Sequence, residues 1–188
     1  MNRNQKIRNT IREQRIQLPE AYRRAASSRI AEQIVNLNEF QMAISIAMFL
    51  SMPGEVDLRP LIERTWGMEK NVFLPCVVGR GKPLVFREYS KSTQLNRSSF
   101  GIDEPNEQAK SIEPTQLDLV LVPLVAFDDR CNRLGMGAGF YDRTLASCDQ
   151  TRFIGVAFEI QRVNEFEVQP HDVPMNAIVT ESGVQRRE

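Results

Sequence analysis

The chain has 188 residues, of which 41% are hydrophobic, and this is enough to build one domain around a sizeable core. Lysine plus arginine and aspartate plus glutamate each number 24, so no global field favours binding to nucleic acid or to an anionic membrane. Any polyanionic ligand must therefore be met by a local site. The longest apolar run, residues 43–50, is far shorter than the roughly 20 residues of a membrane-spanning helix. We expect no membrane span.

The cysteines and the amino-terminal residues indicate the cellular compartment in which the protein is expected. Cys76, Cys131 and Cys148 are odd in number and widely spaced, which is typical of a reducing compartment rather than of a disulfide framework. Residues 1–15 lack the apolar centre and the cleavage site of a secretory signal. We therefore predict a cytoplasmic protein.

The first third of the chain alternates between helical and strand patterns. Apolar residues recur at one-turn intervals over residues 5–37, which predicts two helices joined at Leu18, with Pro19 in the first turn of the second. Residues 43–50 then form a short apolar run that is typical of a strand buried on both faces. Asp57 is placed to cap the next helix.

Further strands are predicted at residues 72–78, 84–89, 117–122 and 153–158. The polar residues 90–115 are expected to form a long, irregular and mobile connection. Because strands alternate with helices, we predict an α/β fold of Rossmann-like three-layer architecture, with a mostly parallel sheet flanked by helices and two amino-terminal helices. No repeat divides the chain, so residues 1–188 should be a single domain.

The most informative segment is residues 133–142, RLGMGAGFYD, between a predicted strand and a predicted helix. Its alternating glycines can aim backbone N–H groups at phosphate oxygens. Arg133 would add a fixed positive charge, and Asp142 could hold a magnesium ion that bridges phosphates. The spacing fits neither a Walker A loop nor a dinucleotide-binding fingerprint. A structural turn, with Asp142 as an exposed acid at a helix start, is the plainer interpretation.

A wider set of segments carries a family resemblance. The segments are VPLVAFD (122–128) and NRLGMGAGFYDR (132–143), with Ile7-Arg8 and FLSMPGEVD (49–57) before them and HDVP (171–174) and IVT (178–180) after them. In this order they resemble the 5-formyltetrahydrofolate cyclo-ligases, also called methenyltetrahydrofolate synthetases. The resemblance covers nearly the whole chain.

The resemblance implies an enzyme that converts 5-formyltetrahydrofolate, with or without a polyglutamate tail, to 5,10-methenyltetrahydrofolate. ATP and Mg²⁺ would be required, and ADP and phosphate released. A formamide oxygen is a poor leaving group, so the family is thought to phosphorylate the formyl oxygen before N10 attacks the activated carbon. Such catalysis consists mostly of positioning and charge neutralisation, which agrees with the lack of a candidate nucleophile pair around the single histidine, His171. The resemblance also implies a monomer.

The resemblance also assigns site residues by position. Contacts to ATP would come from Lys6, Arg8, Arg133, Leu134, Gly135, Met136, Gly137, Ala138, Gly139, Phe140 and Tyr141. Catalytic roles would fall to Arg133 and to Tyr141, a hydrogen-bond donor. Folate would be held by Leu50 and by Glu55, whose carboxylate can accept two parallel hydrogen bonds from a pterin. Mg²⁺ would be bound by Asp142 and Asp172.

Several of these positions have plainer interpretations. Glu55 could be a solvated residue of the turn after Pro53-Gly54, and Asp172 an ordinary turn former. Arg8, Arg12 and Arg15 lie along one side of the first helix, where they could face nucleotide phosphate or form a basic solvated face.

The chain departs from the family pattern at three positions. Asn4 stands where family members commonly have lysine, so Arg3 or Lys6 would have to supply that charge. Ala138 replaces a frequent glycine or lysine and requires a negative φ. Phe140 replaces a tyrosine and keeps only its aromatic face.

Two other functions remain open. One is a different phosphate-ligand enzyme that shares only the glycine loop, and a requirement for folate would separate it from the first. The other is a folate-binding or RNA-binding relative without turnover. Overall neutrality argues against binding to nucleic acid, and the presence of Arg133, the loop glycines and Asp142 favours turnover.

Overall fold

The structure, a computed structural model, describes residues 2–98 and 101–188. Its first two helices are α1 (Arg3–Gln17) and α2 (Glu20–Val35). They are separated at Leu18 as predicted, but Pro19 is the N-cap residue of α2 rather than part of its first turn. Its carbonyl accepts the Arg23 N–H at 3.0 Å, as the carbonyl of an N-cap residue does. An N-cap residue donates no N–H within the helix, so the missing N–H of proline costs α2 nothing.

Three shorter helices follow, α3 (Asn38–Met42), α4 (Arg59–Gly67) and α5 (Phe140–Leu145). The apolar stripe of α4 is buried at Leu61 and Ile62, as its spacing predicts. Asp57 lies ahead of α4 and its Oδ1 accepts the Arg59 N–H at 3.1 Å, although Leu58 is the N-cap residue. The predicted capping contact is therefore present one residue earlier than a standard N-cap.

The strands of the described residues form one eight-stranded sheet and two small hairpins. They are β1 (Ser45–Ala47), β2 (Asn71–Val77), β3 (Leu84–Glu88), β4 (Leu95–Arg97), β5 (Asp103–Pro105), β6 (Ser111–Ile112), β7 (Leu119–Pro123), β8 (Ala126–Phe127), β9 (Arg133–Leu134), β10 (Arg152–Val156), β11 (Ala177–Thr180) and β12 (Gly183–Arg186). The main sheet has the order β12-β11-β10-β7-β1-β2-β3-β6. Pairing is parallel from β11 to β2 and antiparallel toward both edges. The predicted, mostly parallel sheet is confirmed.

Helices cover both faces of this sheet. Along β7, Leu119 and Leu121 point toward the cluster formed with α2, α3 and α4, whereas Val120 and Val122 point toward the cluster that contains Leu145 of α5. This alternation follows from the two-residue period of a strand. The predicted three layers are therefore confirmed. A third cluster joins Ile11 of α1 to the β8–β9 hairpin, so α1 packs beyond the end of the sheet.

The prediction of an irregular connection over residues 90–115 is wrong in part. It contains the β4–β5 hairpin, strand β6 against β3 and a 3₁₀ turn at Pro114–Gln116. These elements are only two or three residues long and largely polar, so they leave no hydrophobic period in the sequence. Ser99 and Phe100 of this segment lie outside the described residues, and its mobility stays a prediction.

Two smaller expectations concern the cysteines and the membrane. Cys76, Cys131 and Cys148 are free and buried, and burial raises the pKa of each thiol, that of Cys76 to about 11. All three thiols lie in the core. Over residues 2–98 and 101–188, no helix is both long enough and apolar enough to cross a membrane.

The packing around β10 generates a stability prediction. A Cβ on Gly155 would collide with Ile178 Cδ1 and lie 2.8 Å from Leu124 Cδ2, inside a filled core. Gly155→Ala should therefore lower the free energy of unfolding by about 1–3 kcal/mol through overpacking. Gly67→Ala is the matched control, because a methyl group added there, at the end of α4, would meet no atom within 4 Å. Chemical denaturation of both variants checks the difference, and equal stability would contradict the described packing.

Candidate active site

The residues assigned to folate, and those assigned to ATP apart from Lys6 and Arg8 on α1, lie after the carboxyl ends of neighbouring parallel strands. β1 pairs with β7, with Ala47 opposite Val120. Leu50 and Glu55 follow β1, while residues 135–139, here called the glycine loop, follow β7 after the β8–β9 hairpin. In open α/β sheets this edge is where ligands bind. The topology therefore brings the two predicted half-sites to one edge.

Glu55 closes a tight turn, residues 52–55, here called the carboxylate turn. Its N–H donates to the Met52 carbonyl at 2.9 Å, and its Oε2 accepts the Met52 N–H at 3.0 Å. Its side chain is only 10% exposed. The solvated-turn interpretation of Glu55 is therefore wrong. Burial raises the pKa of Glu55, while the Met52 N–H and the charges of Arg15 and Arg12 oppose that rise.

Packing against α1 explains why Glu55 is buried. Gly54 has φ +82°, and a Cβ there would lie 3.4 Å from Ile16 Cγ1 and 3.6 Å from the Ile16 nitrogen. Only glycine combines this backbone conformation with so close an approach to a helix. Leu50, the other residue assigned to folate, is partly buried against the main core. The carboxylate turn is thus fixed on one side by the sheet and on the other by α1.

Arg15, in the last turn of α1, lies beside the carboxylate turn. Its side chain is 3% exposed, with Nη2 3.8 Å from Glu55 Oε1. Nη1 donates to the Leu124 carbonyl at 3.3 Å. Burial lowers the pKa of Arg15, and the Glu55 charge opposes that shift. The interpretation of this row of arginines as a basic solvated face holds for Arg12, which is exposed. It is wrong for Arg15, which is buried.

Arg8, two turns earlier on α1, contacts the glycine loop. Its Nε donates to the Gly135 carbonyl at 2.8 Å. Gly137 has φ +99°, and a Cβ there would lie 3.5 Å from Arg8 Cζ, so the guanidinium covers this glycine. Outside glycine, the described residues have a positive φ at Glu69 and Cys131, so Ala138 meets its expected condition. One helix therefore touches both half-sites.

Arg133 and Asp142 form a buried ion pair at the base of the glycine loop. Their side chains are 3% and 16% exposed, and Arg133 Nη2 donates to Asp142 Oδ1. The same oxygen accepts the Val173 N–H at 3.2 Å. The interpretation of Asp142 as an exposed acid is wrong, since it neutralises a buried cation and ties α5 to the segment after His171.

Tyr141 is influenced by a charge from each half-site. Arg133 Cζ is 5.7 Å from the centroid of its ring. Burial raises the pKa of the Tyr141 hydroxyl, the Arg133 charge opposes this, and the Glu55 charge adds to it. The hydroxyl is therefore within electrostatic reach of both Arg133 and Glu55, and its raised pKa keeps it a hydrogen-bond donor at neutral pH.

Two buried guanidinium nitrogens near these groups have unmet hydrogen-bonding capacity. Within the described part of the chain, Nε of Arg15 and Nε of Arg133 lack a hydrogen-bond partner, as does Nε of Arg23 in α2. Buried polar groups are nearly always paired, so such atoms call for an explanation. Two of these three arginines lie beside carboxylates that are predicted to bind ligands, Arg15 beside Glu55 and Arg133 beside Asp142.

The proposed metal ligands differ in their surroundings. Asp172 Oδ2 accepts the Gln169 N–H at 2.8 Å, as a turn former does, and His171 is exposed. No group of three or more potential metal-binding side chains occurs among the residues described. Mg²⁺ at phosphate sites needs only one or two carboxylates, because phosphates and water supply the rest. Asp142 fits this role, since the hydrogen bonds from Arg133 and Val173 both use Oδ1.

The start of α1 is tied to the segment that precedes Asp172. Asn4 Nδ2 donates to the Glu167 carbonyl at 2.8 Å, and Asn4 Oδ1 accepts the Glu167 N–H at 3.0 Å. Arg3 pairs with Glu165 at 2.7 Å, whereas Lys6 is exposed. Asn4 thus has a structural contact of its own. Sequence reasoning missed this clamp, because no local pattern joins residues so far apart.

Gln161 is a second residue that the sequence did not reveal. Its Nε2 donates to the carbonyls of Leu124 and Val125, at 2.8 Å and 3.0 Å. Leu124 O is the atom that also accepts from Arg15. The backbone between β7 and the β8–β9 hairpin is thereby held by two buried side chains. The one sequence feature that could have indicated this role is a polar residue between the apolar residues Ile160 and Val163.

The buried pair at the glycine loop generates a second stability prediction. Asp142→Ala leaves the Arg133 charge buried and unpaired, so the free energy of unfolding should fall by about 3 kcal/mol. Glu165→Ala removes an exposed ion pair with Arg3 and should leave stability nearly unchanged. Urea denaturation of both variants measures the contrast. A stability loss for Asp142→Ala no larger than that of the control would contradict the buried pair.

Comparison with known proteins relates this arrangement to a family. The model of the 5-formyltetrahydrofolate cyclo-ligase family matches residues 1–181. A 5-formyltetrahydrofolate cyclo-ligase of Haemophilus influenzae is 38% identical over 175 residues, which cover 91% of this chain and 94% of that protein. One from Escherichia coli is 36% identical over 179 residues, covering 93% and 98%.

Solved structures agree with the sequence comparison. The 5,10-methenyltetrahydrofolate synthetase of Aquifex aeolicus superposes with a TM-score of 0.86 at 33% identity, covering 97% of this chain and 92% of that one. The synthetase of Mycoplasma pneumoniae, at 23% identity and a TM-score of 0.79, supports the fold alone. The chain therefore belongs to the 5-formyltetrahydrofolate cyclo-ligase family.

Proposed function

We propose that this protein converts 5-formyltetrahydrofolate to 5,10-methenyltetrahydrofolate in an ATP- and Mg²⁺-dependent reaction that releases ADP and phosphate. One observation carries the proposal beyond family membership. Helix α1 contacts the carboxylate turn through Arg15 and the glycine loop through Arg8. A folate ring on Glu55 and phosphates on the glycine loop would therefore face each other along one helix.

The folate half of the site rests on Glu55. Its carboxylate is buried and held by the Met52 N–H, so its orientation is fixed before a ligand arrives. A pterin presents a ring N–H and an amino group that can donate two parallel hydrogen bonds to such a carboxylate. Leu50, which follows β1 on the same edge, would supply an apolar contact to the ring. This pairing selects for a pterin over an unrelated phosphate ligand.

The nucleotide half rests on positive charge and exposed backbone. Arg8 covers Gly137, and Arg133 lies buried beneath the loop with its Nε available. Guanidinium groups are suited to phosphate oxygens because their donors are fixed in a fork. Lys6, exposed two residues before Arg8 on α1, would add charge at the rim. The neighbouring loop residues, Leu134 to Tyr141, would shape the nucleotide pocket.

Phosphorylation would make the formyl oxygen a competent leaving group. The formyl oxygen attacks the γ-phosphorus, the bond between that phosphorus and the β,γ-bridging oxygen breaks, and ADP departs. N10 then attacks the formyl carbon, the carbon–oxygen bond breaks, phosphate leaves, and the N10 proton passes to solvent. Arg133 and Arg8 would offset the charge on the transferred group, and Tyr141 would donate a hydrogen bond between the half-sites.

A magnesium ion would be held by Asp142, with Asp172 nearby, together with nucleotide phosphates. When bound, it would neutralise phosphate charge and fix the geometry of the phosphates. Asp142 would then serve both Arg133 and the ion, through different oxygens. The single-domain organisation, the monomeric state and the cytoplasmic location stay predictions from the sequence.

An omission experiment tests the proposed reaction. Purified protein is mixed with 5-formyltetrahydrofolate, ATP and Mg²⁺, and the absorbance band of methenyltetrahydrofolate is followed while each component is left out in turn. We expect the band to rise only when all three are present. Folate binding without any rise would instead indicate a folate-binding relative without turnover, and binding of neither ligand would contradict the proposal.

A substitution tests the division into two half-sites. Glu55→Gln keeps the size of the side chain but cannot accept two parallel donors, so KM for 5-formyltetrahydrofolate should rise by about tenfold or more. KM for ATP should change little. Glu63→Gln, at an exposed position of α4, is the control for loss of one negative charge. Equal rises in both KM values would mean that Glu55 supports the fold rather than the folate.

A further inference from the structure

The buried guanidinium of Arg15 is not explained by the chemistry proposed above. It lies 3.8 Å from the Glu55 carboxylate, which is longer than the roughly 2.7–2.9 Å of a charge-assisted hydrogen bond. Its hydrogen bond goes to the Leu124 carbonyl instead, at 3.3 Å. Arg15 therefore supplies charge to Glu55 while leaving Oε1 free of a direct hydrogen bond from the guanidinium.

The groups that face Glu55 come from three parts of the chain. From α1 come Arg15, which is buried, and Arg12, which is exposed. From the carboxylate turn comes the Met52 N–H. From α5 comes the neutral hydroxyl of Tyr141. Arg15 is thus the one buried cation that balances the charge of Glu55 among the described residues that act on it.

We infer that Arg15 is a positioning residue for folate, one that keeps Glu55 ionised and aimed at the pterin without occupying the oxygen that the pterin needs. The inference rests on the proposed function, since it assigns Arg15 a role through Glu55. Arg15 itself touches no reacting atom. Its contact to Leu124 O fixes the guanidinium to the backbone after β7, so the charge stays in place when folate enters or leaves.

Loss of the Arg15 charge has a distinct consequence. A buried carboxylate without a nearby cation takes up a proton at higher pH, because burial disfavours its charged form. Protonated Glu55 has lost one acceptor site and cannot pair with both pterin donors. Folate affinity should therefore decline as pH falls, and this decline should begin at a higher pH when Arg15 is neutralised. ATP affinity should not change in this way, since the hydrogen bond of Arg15 goes to Leu124 O and its ion pair to Glu55.

Calorimetric titration with 5-formyltetrahydrofolate and, separately, with ATP tests this inference on wild type, Arg15→Met, Arg15→Lys and Arg12→Met across the acid and neutral range. At acidic pH, Arg15→Met should bind folate about tenfold or more weaker than wild type, and the ratio should shrink as pH rises. Arg15→Lys restores the charge and should follow the wild-type profile. Arg12→Met, exposed on the same helix, should also follow it. Protonation of folate itself changes the affinity of every variant equally, so the ratio of variant to wild-type affinity at each pH reports only on the protein.

Wild-type affinity of Arg15→Met at every pH would overturn the inference. So would equal losses of folate and ATP affinity without pH dependence, which would indicate a structural role. If Arg15→Met fails to fold, Arg15→Gln carries the same test, since it keeps a donor for Leu124 O but no charge. Failure of both neutral variants to fold would also overturn it, because the fold itself would then need Arg15.

Failure of this inference can be distinguished from failure of the proposed function. Turnover is tested by the absorbance of the product, whereas this inference is tested by folate affinity alone. A wild-type protein that binds folate without forming product would contradict the proposed reaction and leave the role of Arg15 to be decided by the titrations.

Discussion

The docking of α1 across the carboxyl edge of the sheet is the contact on which the site depends. Through Ile11 this helix packs on the β8–β9 hairpin, and through Ile16 it presses on Gly54. Arg15, near the end of the helix, lies beside Glu55, and Arg8, two turns earlier, donates to the Gly135 carbonyl. Neither loop is a regular element of the sheet, so a helix that touches both fixes their distance from each other. Sheet packing alone would leave each loop free to adjust separately.

Buried charge sets the electrostatics of the site. Arg15 and Arg133 are both nearly inaccessible to solvent, and each lies beside one carboxylate. Two buried ion pairs are a weak means of stabilising a fold, because desolvation offsets much of the attraction. Under the proposed function they prepare the site for ligands: one pair would present a carboxylate to hydrogen-bond donors, and the other would present a cation to phosphate. Tyr141 is influenced by one charge from each pair, Arg133 and Glu55.

Much of this arrangement could be predicted from the sequence because it depends on local patterns. Apolar runs located β2, β7 and β10, and the alternating glycines of residues 135–139 marked the loop at the sheet edge. What failed depends on contacts between distant residues. Arg12 and Arg15 belong to one row along α1, yet only Arg15 is buried, because only it lies under the carboxylate turn.

Other predictions failed for the same physical reason. The pairing of Asp142 with Arg133 and with the Val173 N–H requires three segments to meet, and helix-start statistics describe only one of them. Likewise, the amide of Asn4 finds its partner at Glu167, far along the chain. Short polar strands such as β4 and β5 are formed by pairing with each other, without an apolar face that a periodicity could reveal.

The central claim, that one helix holds a folate half-site and a nucleotide half-site face to face, is tested most directly by a crystal structure of the protein with 5-formyltetrahydrofolate and a non-hydrolysable ATP analogue. The account predicts the pterin on Glu55, phosphates on residues 135–139, and the formyl oxygen about 3–3.5 Å from the γ-phosphorus. Phosphates bound away from the glycine loop, or a pterin that avoids Glu55, would contradict it.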